Sequence, residues 1–191
     1  MKLLRKKNHT KVVSATIITS CMRINGDLEG NDTIHIDGYV KGNLTVENTL
    51  IIGKLGTVEG NVKAKNVIIN GELKGTLICD HLEILSHGNV TNKIQANTIK
   101  VEGKIEGWID AFESIDILKN GIVNTNHTQS EVIIVRGVLN GRTIATKLLE
   151  VKSYGVLRGE VLTKELLSTP QSNIDTTKLI SLENQEVTII T

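Results

Sequence analysis

The feature that most limits what this chain can fold into is a short mark, Gly, any residue, apolar, any residue, Gly, that returns along most of its length. It stands at Gly26 to Gly30 (GDLEG), Gly38 to Gly42 (GYVKG), Gly56 to Gly60 (GTVEG), Gly71 to Gly75 (GELKG), Gly103 to Gly107 (GKIEG), Gly137 to Gly141 (GVLNG) and Gly155 to Gly159 (GVLRG). Degenerate copies at Gly88 to Asn92 (GNVTN) and Gly121 to Thr125 (GIVNT) fill the gaps. From one first glycine to the next the steps are 12, 18, 15, 17, 15, 18, 16 and 18 residues, and a period near 17 is a solenoid period. Between the marks apolar residues alternate, as in Val58, Val62, Ala64, Val67 and Ile69, so each unit reads as three short strands with one set of side chains inward. A unit this short cannot bury its own apolar set. Stacked at about 4.8 Å, successive units form one dry column and pair their backbones rung on rung. The spacing predicts an all-β chain folded as a parallel β-helix, three-sided, with about nine coils of 15 to 18 residues.

Composition agrees with that reading. Ile, Leu and Val make up 62 residues, 42 of them β-branched, which suits a pleated surface; aromatic residues are 2% of the chain. Gly is the residue for corners that need positive φ or close backbone approach. The same glycines would cradle phosphate only if a helix followed them, and apolar alternation follows instead. A left-handed helix, as in some acyltransferases, demands small apolar residues at strict steps of six. Val40, Val46, Ile52 and Val58 obey that rule, but Ala64 is followed by Asn70 and the 15-residue units break the register. The step from Ile69 to Gly71 is two residues, whereas that from Ile52 to Gly56 is four, so a right-handed coil with one variable corner fits better.

With 22 basic and 21 acidic residues the net charge is +1, which gives no field to steer nucleic acid. Cys21 and Cys79 form neither a disulfide scaffold nor a metal-ligand spacing, and a reducing compartment is the simplest setting. None of the five His pairs with another His or Cys at ligand spacing, and no Ser, His and acid arrangement stands out. No cofactor, metal or catalytic residue is expected. Cys79 falls inward with Ala64 and Ala96, as a small core residue. Trp108 and Phe112 fall outward around inward Ile109 and Ala111, as a patch for a partner or a surface for the C-terminal segment to cover.

The ends differ from the middle. Residues 1 to 15 read as a basic arm, 16 to 167 as the β-helix and 168 to 191 as a tail with a short strand near Val187 to Ile190. Lys2, Arg5, Lys6 and Lys7 with Leu3 and Leu4 suit a peripheral contact with anionic lipid, and no stretch is apolar enough to span a bilayer. The basic start, the apolar run Val12 to Ile18 and Cys21 also make a loose, interrupted match to a lipoprotein signal. A solenoid end exposes unpaired backbone and an apolar section unless capped. Ile18, Ile24 and Leu28 are expected to form one such layer and Leu157, Val161 and Leu166 the other, so that coils continue from subunit to subunit.

At this point the chain resembles the bactofilins. The resemblance is carried by the run from Arg23 to Leu77, RINGDLEGNDTIHIDGYVKGNLTVENTLIIGKLGTVEGNVKAKNVIINGELKGTL. Within it stand Ile36-Asp37-Gly38, Gly42-Asn43-Leu44, Gly60-Asn61-Val62-Lys63-Ala64 and Val67-Ile68-Ile69-Asn70-Gly71. It is strong from about residue 14 to 125. Beyond that the repeat persists through Leu167, although the rung at His127 and Gln129 places polar residues where apolar ones are expected. The resemblance implies a cytoskeletal homopolymer, assembled without nucleotide, peripheral on the cytoplasmic side of the bacterial inner membrane. Such a polymer scaffolds cell-wall synthesis or hydrolysis proteins and cell shape. The alternative is a β-helical binding module or carbohydrate-active enzyme that does not polymerise.

Overall fold

The structure, a computed structural model, describes residues 15 to 182 and 189 to 190. All regular structure among them is β-strand, and every strand pairing is parallel. Coil 1 consists of β1 (Ala15–Ile18), β2 (Arg23–Asn25) and β3 (Leu28–Gly30). β4 (Thr33–Ile36) and β5 (Tyr39–Lys41) open coil 2, and β6 (Leu44–Ile52) completes it and turns into coil 3. β7 (Thr57–Glu59), β8 (Val62–Ile69), β9 (Glu72–Lys74), β10 (Leu77–Ile78) and β11 (His81–Ile84) carry the chain into coil 5. From there strands run on around corners: β12 (Asn89–Val101), β13 (Lys104–Ile117), β14 (Ile122–Val135), β15 (Val138–Val151) and β16 (Val156–Ser168). β17 (Asn173–Ser181) and the short β18 (Ile189–Ile190) follow.

Register explains the stacking. On the first side Ile34 lies on Leu50, Leu50 on Val67, Val67 on Leu82, and the column continues through Ile99, Ile115, Ile133 and Leu149 to Leu166. Its neighbour runs Ile36, Ile52, Ile69, Ile84, Val101, Ile117, Val135 and Val151. The second side contributes Val40, Val58, Leu73, Val90, Ile105, Val123, Leu139 and Leu157, all of them fully buried. Like sits on like, so branched side chains stack on one another along the axis. The sequence-expected register, with Ile69 inward and Lys63 outward, is the one observed.

The corners show why the glycines recur. Gly42, Gly60, Gly75, Gly107, Gly141 and Gly159 all turn from the second side to the third at positive φ, and a Cβ on any of them would strike the carbonyl of the residue one coil below. Asn92 holds the same column position at φ 104°. Gly26 also belongs to this column, because its neighbour Asn25 pairs with Lys41 and a Cβ on Gly42 would meet the Gly26 carbonyl. The first step of 12 residues therefore compares glycines of two different corners; Met22 stands where later coils place the first glycine. The corner from the first side to the second alternates in length, with tight turns closed by Gly56 N–H to Gly53 O (2.9 Å), Gly88 N–H to Leu85 O (2.7 Å) and Gly121 N–H to Leu118 O (2.8 Å) on every second coil.

Two expectations need correcting. The segment from 168 onward was expected to be a tail, but β16 and β17 make a tenth coil. Leu157 lies under Ile174 and Val161 under Leu179, while β18 begins an eleventh coil by setting Ile189 on Leu166. Leu157, Val161 and Leu166 are buried within the chain and form no end layer. The coil was missed because Asn173–Ser181 carries no glycine and few apolar residues. The rung at residues 127 to 130 also has a different phase. Asn126 is an extra residue between the pairs Gly107–Thr125 and Trp108–His127, so Thr128 and Ser130 point inward and His127 and Gln129 outward.

Candidate functional site

Three places can meet a partner: the two ends of the column and the outward face of its third side. At the N-terminal end β1, β2 and β3 each pair with coil 2 alone among the described residues, leaving a row of backbone groups on the other edge. Ile24 and Leu28 are half-buried against the core, while Ile18 is buried and Ile17 beside it is exposed. At the C-terminal end β17 pairs with β16 alone among the described residues, and Ile174 and Leu179 are the half-buried apolar layer. Of the six residues expected at the ends, Ile24 and Leu28 lie on an open layer; Ile174 and Leu179 replace the three expected at the far end.

Polar ladders brace the first coils. The Asn43 side-chain amide donates to Asp27 Oδ1 (3.2 Å) and that of Asn61 to Asn43 Oδ1 (3.1 Å), one rung apart each. The Arg23 guanidinium sits 4.7 Å from the centre of the Tyr39 ring, and the Tyr39 hydroxyl donates to Glu59 Oε2 at 2.7 Å, joining coils 1, 2 and 3. That bond to a carboxylate raises the Tyr39 pKa above the ordinary phenol value.

On the third side Trp108 stacks on His127 with ring centroids 4.1 Å apart, and its Nε1–H donates to Asp110 Oδ2 at 2.9 Å. Asp110 also meets His127 Nε2 at 3.5 Å and Lys93 Nζ at 3.8 Å. Trp108 remains 43% exposed and Phe112 71% exposed, so neither is covered by the C-terminal coils. The two do not touch as a pair: Trp108 belongs to the His127 and Asp110 cluster, whereas Phe112 lines a groove with Ile78, Asp80 and Ala96. Cys79 forms part of that groove's floor, and burial pushes its thiol up to about 12, so it is a packed side chain and no nucleophile at neutral pH. Among the described residues no group of three His, Cys, Asp or Glu side chains could hold a metal ion, and no helix is long and apolar enough to cross a membrane. The arm residues Lys2, Leu3, Leu4, Arg5, Lys6 and Lys7 lie outside the described residues.

The repeated sequence has counterparts among known proteins. The family model Bactofilin, described as polymer-forming cytoskeletal, matches this chain twice, over residues 16–102 and 95–177. The chain is 28% identical over 96 residues to Bactofilin BacO of Myxococcus xanthus, covering 50% of this chain and 76% of that protein. No solved structure matches the chain. Two successive matches account for a column longer than the resemblance of residues 14 to 125 implied.

Proposed function

The chain belongs to the bactofilins, polymer-forming cytoskeletal proteins, and from that premise we propose that it assembles end to end through the open edges of its first and tenth coils. The observation that carries this reading is the pair of strand sets, β1 to β3 and β17, that are one-sided among the described residues, each with half-buried apolar residues beside backbone that has no partner among them. Contact between two such ends satisfies the backbone groups and buries Ile24, Leu28, Ile174 and Leu179, as every interior rung does. Nothing in that contact calls for a nucleotide. The filament is a scaffold for cell-wall or cell-shape proteins. It is held peripherally on the inner face of the bacterial membrane by Lys2, Leu3, Leu4, Arg5, Lys6 and Lys7, each cation contributing about 1 kcal/mol near anionic lipid and the many arms of a polymer acting together.

Sedimentation velocity of the purified chain without nucleotide, beside Leu28→Arg, Leu179→Arg and Val161→Arg, tests the assembly. The wild type is expected to sediment as polymer, and the first two variants as short species with an intact β spectrum. Val161→Arg, now a core change, should unfold instead. A wild-type monomer at micromolar concentration would defeat polymerisation, and a full polymer from both end variants would defeat this choice of interface. Sedimentation with anionic vesicles, before and after deletion of residues 2 to 11, tests the lipid contact.

A further inference from the structure

A groove of about 680 Å³ runs along the corner where the third side turns into the first. Its floor is the column Cys79, Ala96 and Ala111, whose small side chains leave the corner thinly filled, and Ile78 and the exposed Phe112 flank it. Acidic side chains follow the same corner. Glu47 stands just before coil 3, Asp80 just before coil 5 and Glu113 just before coil 7, and none of the three has a hydrogen bond or ion pair among the described residues. Three such acids spaced every second coil along this corner, with Asp80 lining the groove itself, fit an extended strand with cations at matching intervals.

Such a strand leaves the column at this very corner. Ala15 pairs with Thr33, and the column continues through Thr49, Asn66, His81, Thr98 and Ser114, so the described chain begins just past the corner that Glu47, Asp80 and Glu113 hold in later coils. At about 4.8 Å per rung those acids lie about 10, 19 and 29 Å along the axis from residue 14. An extended chain running back along the corner at about 3.3 Å per residue brings Lys11 to about 10 Å, Lys7 to about 23 Å and Arg5 to about 30 Å. Each acid thus meets a cation. Lys65, the one cation on this stretch of corner, comes level with the uncharged Thr10 and with His9. Leu4 and Leu3 follow at about 33 and 36 Å, beyond Phe112, which comes just before Glu113.

We propose that this corner groove is the seat of the chain's own residues 2 to 11, held by Lys11 to Glu47, Lys7 to Asp80 and Arg5 to Glu113. Docked there, the arm leaves the open edge of coil 1 free to stack and withholds its cations from any other anionic surface. The corner and lipid then compete for the same side chains, and the docking itself requires no lipid.

Limited trypsin digestion of the full chain, without vesicles and with cleavage after Arg5, Lys7 and Lys11 followed by mass spectrometry, tests this directly. Cleavage of a flap tracks its open population when reclosing is fast. The double variant Asp80→Lys with Glu113→Lys should be cut about tenfold faster than wild type. Asp80→Glu should stay protected, and raised salt should speed the wild type but not the double variant. Both positions are exposed, and an unchanged melting temperature checks that the column is intact. Equal cleavage of wild type and double variant would overturn the proposal, as would protection that vanishes on dilution, which would place the arm of a second copy in the groove. Since no lipid enters the assay, failure of the membrane reading would leave this result untouched.

Discussion

The first six coils and the four that follow share one backbone but sort their side chains differently. In coils 2 to 6 the inward positions are aliphatic or small throughout, and the outward ones are polar or charged apart from Tyr39, Ile51, Leu55, Ile68, Ile78, Leu85, Trp108 and Phe112. From coil 7 the third side turns Thr128, Ser130, Thr143 and Thr163 inward, while Ile122, Val132, Ile134, Val138, Ile144, Leu148, Val156 and Leu162 face outward or half out. The inside is therefore apolar throughout in the first region and mixed in the second. In a solenoid each rung answers chiefly to its neighbours, so the two regions should differ in local stability as well as in pattern.

The largest test of this contrast lies in the first region. Ile69→Lys places a charge between Ile52 and Ile84 with no partner, and should cost about 3 to 5 kcal/mol or unfold the central coils. Lys63→Glu, outward on the same strand, should be nearly silent. Similar denaturation midpoints for the two variants would remove the register on which the comparison rests.

A second test sets two corners of one column against each other. Gly60 holds φ +152° with its missing Cβ aimed at the Gly42 carbonyl, so Gly60→Ala should cost about 1 to 3 kcal/mol in backbone strain before the clash is counted. Thr125 stands at the equivalent place in coil 7 without a positive φ, because the extra residue Asn126 takes up the turn. Thr125→Ala should then cost about 1 kcal/mol, for the hydrogen bond to the Thr128 hydroxyl that it breaks. A larger loss at Thr125 than at Gly60, by urea denaturation, would show that the bulge carries more strain than the glycine corner.

These particulars also show where the fold was legible. Val58, Val62, Val67 and Ile69 alternate cleanly and Gly56 and Gly60 mark the corners, so period and phase in the first region follow from residue types alone. Asn126 shifts the phase by one residue without any signal of its own, and inward Thr128 reads as outward because hydroxyls usually face water. Coil 10 escaped for the same reason, since Asp175, Thr176, Thr177 and Lys178 hide Ile174 and Leu179. The ends of the column could be named only as far as the last coil could be placed, which is why Leu28 stands on an open layer and Val161 does not. Glu47, Asp80 and Glu113 on the groove corner are spaced by whole coils, so their alignment emerges only once the strands are stacked.

The smallest effect is also the one that separates the two regions most cleanly, because it has the opposite sign. Thr143 is fully buried between Thr128 and Val161, and its Oγ1 has no hydrogen-bond partner. A buried hydroxyl without a partner loses its bonds to water and gains none in return, whereas a methyl group of the same size loses nothing. Thr143→Val keeps the β-branched shape and extends the apolar column of Val161 and Leu179, so it should stabilise the chain by about 1 kcal/mol. Thr128→Val is the matched control: it strands the Thr125 hydroxyl that now bonds to it, and should be neutral or destabilising by about 1 kcal/mol. Inward positions of coils 2 to 6 carry no hydroxyl, so that region has no comparable gain to offer. Urea denaturation of the three proteins checks the sign, and native-state hydrogen exchange checks the place. Slower exchange in Thr143→Val should appear in β14, β15 and β16 and leave β8 unchanged. Protection gained equally along the whole column would mean that the ten coils unfold as one unit and that the two regions differ in pattern only.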